Sequence, residues 1–270
     1  MSVEIEIICI GNELLIGKIE NTNAYWLTKQ ITILGANVTR ITVIRDIVEE
    51  ISSCLLEAKA RSPHFIITTG GLGPTFDDKT FQGIAKALNQ ELVVNQEALE
   101  MVKQKCIEYA RKLKIPTEIE LTPPRVKMAT FPEGTKPVIN PIGTAPALCK
   151  NMDGTLLFAL PGIPKEMESI FMQTIAPQIK LAVGENIFCE RNIFADNIFE
   201  SRLAPLIDKV MSDNVGVYVK SHPISSKNKS HVELHLTMIA NKKQKPEDRL
   251  LKAEKELWSL IEALDGTVYK

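Results

Sequence analysis

The chain has 270 residues, of which 44% are hydrophobic and 24% charged, and its formal net charge is −1 at pH 7. That size allows one large domain or two smaller ones, and the near-neutral charge disfavours binding to nucleic-acid backbones. No apolar run approaches the ~18 residues of a membrane span, and five scattered cysteines without a C-x-x-C pair indicate reduced thiols in the cytoplasm.

The first two thirds of the chain alternate between apolar strands and amphipathic helices. This alternation is typical of a parallel sheet that helices cover on both faces. We therefore predict an α/β fold, with a three-layer α/β/α domain built on a mostly parallel sheet. The predicted strands are residues 3–10, 38–44 and 65–68, and the predicted helices are residues 22–34, 47–62, 78–88 and 96–113.

The helical period disappears over residues 121–162, which contain seven prolines. Short strands separated by turns predict an antiparallel extension that returns to the sheet. A helix or pair of helices over residues 165–182 then closes this part of the chain. We predict a first domain at residues 1–184 and a second domain at residues 185–270, with Gly-Glu-Asn at residues 184–186 as the boundary.

The tail has the pattern strand, helix, strand, strand, helix, strand, which predicts a small α+β domain of the split βαβ type. A small sheet with one uncovered face requires a partner surface, which favours a role in dimerisation or as a lid. We expect a homodimer, because closed two-fold assemblies are the commonest oligomers.

The segment I-I-T-T-G-G-L-G-P-T-F-D-D-K-T at residues 66–80 is the most informative motif. An apolar strand ends in glycines, which let backbone N–H groups approach a phosphate closely before a helix begins. Asp77 and Asp78 follow, where a cation or an attacking water could be held; the alternative is a tight turn with one aspartate as helix cap. The candidate phosphate-binding residues are Thr69, Gly70, Gly71, Gly73 and Thr75.

The loop after the first strand carries G-N-E-L-L-I-G at residues 11–17 and N-T-N at residues 21–23. Ligands of open α/β sheets bind beyond the carboxyl ends of strands, so this loop should meet the glycine loop. Its spacing matches neither G-x-G-x-x-G nor a P-loop, which disfavours a dinucleotide dehydrogenase and a P-loop NTPase. Its candidate substrate-binding residues are Gly11, Glu13, Gly17 and Asn23, and the asparagines could instead cap the helix.

Asp46 follows the second strand and is either a helix cap or a third carboxylate of the same site. Three carboxylates around a phosphate would repel it unless a cation intervened, so a hard divalent ion such as Mg²⁺ is the natural companion. The turns P-I-G-T-A-P at residues 141–146 and P-G-I-P-K-E at residues 161–166 either present N–H groups to the ligand or only punctuate the chain. Their candidate residues are Gly143, Thr144, Pro161 and Gly162.

Four motifs in this order resemble the N-terminal part of the CinA family, the competence-damage inducible proteins. They are G-N-E-L-L-I-G-K-I-E-N-T-N, T-G-G-L-G-P-T-F-D-D, N-P-I-G-T-A-P and L-P-G-I-P-K-E-M. That part of CinA is similar to the molybdopterin-binding MoaB and MogA proteins, and the resemblance covers residues 3–182. The tail resembles the small KH-like domain of CinA proteins. Many members carry a further amidohydrolase domain that this sequence does not include, so its activity is not expected here.

The resemblance implies a metal-dependent pyrophosphatase that converts ADP-ribose to AMP and ribose 5-phosphate. The alternative it leaves open is a pterin-binding or pterin-adenylylating protein of molybdenum cofactor assembly. In either case the family motif places the catalytic and metal-holding carboxylates on Asp78 and Asp46, with Asp77 beside them. The implied cofactor is Mg²⁺ or Co²⁺, with K⁺ as a further candidate.

A third hypothesis is a non-catalytic module that binds nucleic acid or a protein partner through the tail. It is disfavoured because the tail lacks the G-x-x-G loop with which KH domains clamp nucleotides.

Overall fold

The structure, a computed structural model, describes residues 2–114, 116–118, 120–224 and 231–270. The chain divides into two compact units. The first unit comprises Met1–Thr32 and Ala36–Ala182, and the second comprises Ile33–Gly35 and Val183–Lys270.

The first unit contains a six-stranded sheet, a small two-stranded sheet and the helices that pack on them. In chain order its elements are β1 (Glu4–Ile10), α1 (Asn12–Leu15), α2 (Thr22–Ile33), β2 (Asn37–Ile44), α3 (Val48–Ala60), β3 (Phe65–Thr69), α4 (Thr80–Leu88), β4 (Leu92–Val94), α5 (Gln96–Leu113), α6 (Pro123–Met128), β5 (Thr130–Pro132), β6 (Lys136–Val138), β7 (Ala147–Met152), β8 (Thr155–Leu160) and α7 (Pro164–Ile170). A π-helical turn (Phe171–Ile175) then leads into α8 (Ala176–Val183).

The main sheet has the strand order β2-β1-β3-β8-β7-β6. Strands β2, β1, β3 and β8 are parallel to one another, whereas β7 pairs antiparallel with both β8 and β6. The mostly parallel sheet and its antiparallel extension confirm the predicted fold class. This order brings the carboxyl ends of β1, β3 and β8 side by side, which is where the predicted ligand loops begin.

Helices cover both faces of this sheet because its strands are almost continuously apolar. Ile8 and Ile66 belong to one buried cluster with Ile51 of α3 and Phe81 of α4. Successive strand residues point to opposite faces, and the alternate positions Ile5, Ile7 and Ile67 are fully buried as well. On a strand of an open sheet this double burial requires a packed layer on each side.

Two predicted helix starts differ from the structure. Helix α3 begins at Val48, and Asp46 is not its N-cap; the Asp46 carboxylate instead accepts a hydrogen bond from the Asn12 N–H at 2.8 Å. Helix α4 begins at Thr80 rather than at residue 78, because Asp78 is engaged by the preceding turn.

The second unit is built on a four-stranded antiparallel sheet with the order β10-β11-β9-β12. Its elements are β9 (Asn186–Asp196), α9 (Glu200–Asp213), β10 (Tyr218–Ile224), β11 (His231–Asn241), a 3₁₀ turn (Lys242–Gln244), α10 (Pro246–Glu262) and β12 (Thr267–Tyr269). The predicted β-α-β-β-α-β order is therefore confirmed. Every second residue of β11 is buried, and these residues form a core with apolar residues of α9 and α10, so the helices cover one face of the sheet.

None of the described helices combines the length and the apolar character that a transmembrane segment needs.

Candidate functional site

A crevice opens where the parallel strands of the first unit end. The loops that follow β1, β2, β3 and β8 line a cavity of about 610 Å³. This convergence is the arrangement that open α/β sheets use for ligands. The predicted site residues that line the cavity are Glu13, Asn23, Asp46, Thr69, Gly70, Gly71, Gly73, Thr75, Asp77, Asp78, Thr144, Pro161 and Gly162.

Gly70 starts the glycine loop in a gap between two strand ends. Its N–H donates to the carbonyl oxygen of Leu160 at 3.0 Å, and a Cβ at this position would overlap the carbonyl oxygen of Ile10. Its φ of 109° lies in a region that L side chains rarely adopt. Glycine is therefore the residue that lets the loop begin this close to β1 and β8.

Thr80, the first residue of α4, fastens the start of the loop to the helix. Its hydroxyl donates to the Gly70 carbonyl at 2.8 Å, and its N–H donates to the Gly71 carbonyl at 3.1 Å. Thr80 is fully buried. The carbonyl groups of Gly70 and Gly71 thus point toward the protein, and Thr80 satisfies their hydrogen bonds there.

The backbone N–H groups of Gly71, Leu72 and Gly73 donate to no acceptor within the described part of the chain. All three residues line the crevice. Consecutive N–H groups of such a loop form a concave anion site, and a backbone donor at a buried residue such as Leu72 needs a partner. An oxygen of a phosphate or carboxylate would supply the acceptor that this loop lacks.

Asp78 folds back over the glycine loop. Its Oδ2 accepts hydrogen bonds from the Thr75 N–H at 2.7 Å and from the Thr75 hydroxyl at 2.6 Å. That hydroxyl also lies against Asp77 Oδ1, and this hydrogen bond lowers the pKa of Asp77. A Cβ on Gly73 would lie 2.7 Å from Asp78 Oδ2, so the close approach requires glycine here too. Asp78 shapes the loop, and its other oxygen accepts no hydrogen bond from the described residues.

Lys127 of α6 anchors the far side of the same loop. Its Nζ donates to the carbonyl oxygens of Gly73, at 3.5 Å, and of Thr75. Burial lowers the pKa of Lys127, while the nearby carboxylates of Asp78 and Asp77 oppose that shift. Lys127 thus places a positive charge beside two carboxylates and fixes the loop through its carbonyl groups.

Asp46 brings a further carboxylate to the opposite wall. Burial raises the pKa of Asp46, the hydrogen bond from the Asn12 N–H opposes that rise, and the neighbouring carboxylates of Glu13 and Asp77 add to it. Glu13 itself lies over Gly11, where a Cβ would come within 2.5 Å of Glu13 Oε1. The crevice therefore concentrates negative charge from three loops, which a bound cation would offset.

Asn23 joins three loops at the edge of the sheet. Its amide Nδ2 donates to the Thr69 hydroxyl at 3.0 Å and to the Gly162 carbonyl at 2.8 Å, and the Thr69 hydroxyl donates to the Pro161 carbonyl at 3.1 Å. The Asn23 Oδ1 atom is buried and has no hydrogen-bond partner among the residues that the structure describes. Asn21, by contrast, acts as the cap of α2, because its Oδ1 accepts from the Ala24 N–H at 3.1 Å.

Three predicted residues lie outside the cavity lining. Gly143 packs against the buried Glu166 carboxylate, and its N–H donates to Asn140 Oδ1 at 2.8 Å, so this N–H is already satisfied. Gly11 passes beneath Glu13, and Gly17 ends the turn after α1 with its N–H on the Leu14 carbonyl at 3.2 Å. In this structure the three glycines shape the loops that carry the lining residues.

The carboxylates of the crevice are candidate ligands of a divalent cation. Among the described residues, no three His, Cys, Asp or Glu side chains are grouped as a complete metal site. Mg²⁺ at phosphate sites usually takes one or two carboxylates and completes its shell with water and phosphate oxygens. Asp46 and Asp77, close enough for one to raise the pKa of the other, fit that incomplete protein donor set.

Sequence reasoning missed Lys127, Asn140 and Glu166. Lys127 lies in a short helix within the proline-rich stretch, and its contacts span more than fifty residues of sequence, so no local pattern announces it. Asn140 donates to Glu166 Oε2 at 2.6 Å and to the Ala145 carbonyl at 2.9 Å. The asparagine directly before P-I-G-T was the available signal, since asparagine side chains often organise the turn that follows them.

Comparison with protein-family models finds one match, to the family described as a probable molybdopterin binding domain, over residues 6–181. A protein of Pyrobaculum calidifontis is 42% identical over 258 residues, which cover 95% of this chain and 95% of that protein. A protein of Metallosphaera sedula is 36% identical over 97% of this chain and 96% of its own length.

Among solved structures, CinA of Thermoplasma acidophilum, a protein of unknown function, is similar to this chain. The two share 38% sequence identity and a TM-score of 0.57, and the match covers 65% of this chain and 98% of that one.

Proposed function

Because the chain belongs to the family of probable molybdopterin binding domains, we propose that its crevice binds a phosphorylated pterin of the molybdopterin type. The family match spans residues 6–181, and every residue that lines the crevice lies inside that span. The protein would then bind the pterin or transfer an adenylyl group to its phosphate.

The observation that carries this proposal is the row of N–H groups at Gly71, Leu72 and Gly73, which have no acceptor among the described residues. A phosphate placed on them accepts several hydrogen bonds at once, and such charge-assisted bonds are stronger than neutral ones. The preceding Gly70 and the fastening by Thr80 hold these donors in place before the ligand arrives, which reduces the ordering cost of binding.

We further propose that Asp46, with Asp77 and Asp78 on the opposite wall, holds a divalent cation beside that phosphate. Mg²⁺ or Co²⁺ is the expected ion, with K⁺ as a further candidate. When bound, the cation would neutralise charge that the phosphate and the carboxylates otherwise bring into contact.

Hydrolysis of a nucleoside-diphosphate sugar, with ADP-ribose as the substrate, is the second candidate function. It is favoured by Asp46, because burial raises its pKa and a carboxylate with a raised pKa is a better proton acceptor for an attacking water. The cavity of about 610 Å³ also falls in the usual range of sites for whole small-molecule ligands.

We also propose that the chain is a CinA-type protein, that its second unit corresponds to the KH-like domain of that family, and that it forms a homodimer in the cytoplasm. The similarity to the Thermoplasma CinA supports the first point. The free cysteines of the described chain suit a reducing compartment. Sedimentation of the purified chain at several concentrations tests the dimer.

Two assays on the purified chain separate the two activities. The first supplies molybdopterin with Mg²⁺ and ATP and measures pterin binding and adenylylated pterin; the second supplies ADP-ribose with Mg²⁺ or Co²⁺ and measures AMP. Pterin binding without AMP release supports the first function, and metal-dependent AMP release that Asp46→Asn abolishes supports the second. The exposed Asp153→Asn serves as the control, and failure to bind either ligand contradicts both.

A further inference from the structure

A second cavity of about 460 Å³ lies behind the glycine loop. Gly71, Leu72, Gly73 and Asp78 line both this cavity and the crevice, so the two adjoin along the loop. We call it the loop-side cavity. A ligand group bound to the loop N–H donors therefore has two adjoining spaces into which the rest of the ligand can extend.

The walls of the loop-side cavity are mostly apolar. They are formed by side chains from α4, β4 and α6, with Phe81, Leu92 and Val126 among them. An apolar cavity with a few polar groups is the usual form of a site for a flat organic ring. The size of the cavity alone does not select a ligand, so the polar groups in its wall must determine which ligand binds.

Gln82 is a half-buried polar side chain in the wall of this cavity, and its carboxamide makes no hydrogen bond within the described part of the chain. Two other polar side chains are engaged: Thr130 donates to the Val126 carbonyl at 2.9 Å, and Lys127 donates to the carbonyls of the glycine loop. Asp78 also has one oxygen without a partner among the described residues, but a carboxylate offers acceptors alone. A carboxamide offers a donor beside an acceptor, and it pairs well with a ring edge that offers the complementary two.

We propose that the loop-side cavity holds the planar nitrogen heterocycle of the ligand, a purine or a pterin, and that Gln82 binds the edge of this ring. The proposal rests on the proposed function, because it places the ring next to a phosphate on the glycine loop. Both rings present adjacent donors and acceptors, so the shared chemistry is that edge, and the experiment distinguishes the two sources.

The test measures the binding of three monophosphates by calorimetry in the presence of Mg²⁺. AMP carries a purine, neopterin monophosphate carries a pterin, and ribose 5-phosphate carries no ring. The variants are Gln82→Met, which keeps the length of the side chain and removes both polar atoms, and Gln82→Glu, which replaces the donor with an acceptor. Gln90→Met, at an exposed position that lines neither cavity, is the matched control.

We expect the wild type to bind at least one ring-bearing ligand more tightly than ribose 5-phosphate. Gln82→Met and Gln82→Glu should each weaken that ligand by about tenfold or more, the range of a lost bidentate contact to a base, and leave ribose 5-phosphate within twofold. The ligand that loses affinity identifies the ring as purine or pterin. Unchanged binding of ribose 5-phosphate also shows that each variant is folded.

Two other outcomes are decisive and distinguishable. If the wild type binds these ligands but both Gln82 variants bind them equally well, or lose ribose 5-phosphate to the same extent as the ring-bearing ligand, the ring site is overturned and the phosphate site stands. If the wild type binds none of the three, the proposed function itself fails, and the ring site fails with it.

Discussion

Glycine is required at position 70 both by the positive φ of the backbone and by the lack of space for a side chain. Replacing it with alanine adds a Cβ that overlaps the Ile10 carbonyl, in a backbone conformation that alanine already disfavours. Gly154 has a similar φ of 102°, but a Cβ there would meet nothing within 4 Å. Comparing the two glycines therefore separates the cost of the strained backbone from the cost of the steric clash.

We expect Gly154→Ala to cost ~1–3 kcal/mol of unfolding free energy, the usual range for a strained backbone position. Gly70→Ala should cost roughly 1–3 kcal/mol more, because overpacking adds to the strain. Urea denaturation of both variants measures the difference. Equal losses for the two variants would show that Gly70 is not wedged between the strands.

Asp46 links stability to pH in a direction opposite to that of most carboxylates. Its pKa is raised in the folded chain above the ordinary value of 3.8, so the unfolded chain ionises first. Ionisation of Asp46 therefore destabilises the folded chain. This destabilisation is absent below pH 3.8, grows as the pH rises, and is complete above the raised pKa of Asp46 in the folded chain. Solvent screens part of this effect, because the side chain is only partly buried.

Asp46→Asn should therefore raise the melting temperature at pH 7 without cation or ligand, by at most about 2–4 °C, which corresponds to ~1 kcal/mol. An asparagine oxygen can still accept the Asn12 N–H. The same variant should lose Mg²⁺-dependent ligand binding. Asp153→Asn is the control, since Lys59 lowers the pKa of Asp153 and its removal should not stabilise the protein. A lower melting temperature for Asp46→Asn would contradict this electrostatic interpretation.

Single residues also show where sequence reasoning stopped. The glycines of the loop after β3, Thr69, Thr75 and the aspartates were predicted for one crevice, and the structure places them along its lining, whereas Gly11, Gly17 and Gly143 lie outside it. Local pattern alone left Asp46 open, and only the family resemblance placed it in the site, because a carboxylate after a strand looks the same whether it caps the next helix or meets a loop thirty-four residues away. Gln82 and Lys127 gave no signal, because their environment comes from long-range packing.

The glycine loop depends on an element that lies far along the chain. Helix α6 delivers Lys127 to the carbonyls of Gly73 and Thr75. Without those hydrogen bonds the N–H donors of the loop would be less well ordered before a ligand binds, which raises the entropy cost of binding.

We expect Lys127→Met to weaken phosphate-ligand binding by about tenfold, equivalent to ~1.4 kcal/mol. Lys79→Met is the matched control, because Lys79 also acts on the charge of Asp77 but its side chain makes no hydrogen bond within the described residues. Calorimetric titration with ribose 5-phosphate compares the two. Equal losses would show that positive charge near the loop matters and that the anchoring does not.

Long elements were easier to predict than short ones. Strands β1 and β3 are rich in apolar residues, and α5 was predicted with both ends correct because its amphipathic pattern extends over 18 residues. Helices α1 and α6 and strands β4 and β5 were missed. Each is six residues or fewer, and β4 pairs with β5 across the intervening α5 and α6, so no local pattern indicates the pairing.

The molecule as a whole consists of two units with separate cores. The buried cluster around Ile51 and Phe81 and the buried cluster around Leu234 and Leu257 share no residue. A unit with its own core can in principle fold alone. The predicted boundary at residue 184 is therefore a place where the chain can be divided and tested.

We expect residues 1–184 to fold cooperatively and to bind the phosphate ligand with the affinity of the full chain. Residues 185–270 should show a thermal transition of their own. A chain cut after Gly154 is the control, since it lacks β8, the partner of β3, and should not fold. Circular dichroism and calorimetry check each piece, and loss of binding in folded residues 1–184 would mean that the site needs the second unit.

The most direct test of the phosphate site is a crystal structure of the chain with Mg²⁺ and the ligand that it binds in solution, molybdopterin or ADP-ribose. We predict a phosphate within hydrogen-bond distance of the N–H groups of Gly71, Leu72 and Gly73, with Asp46 on the side of the cation. A ligand phosphate bound elsewhere on the chain, or a glycine loop whose N–H groups stay without a ligand at saturating concentration, would contradict the assignment of this crevice.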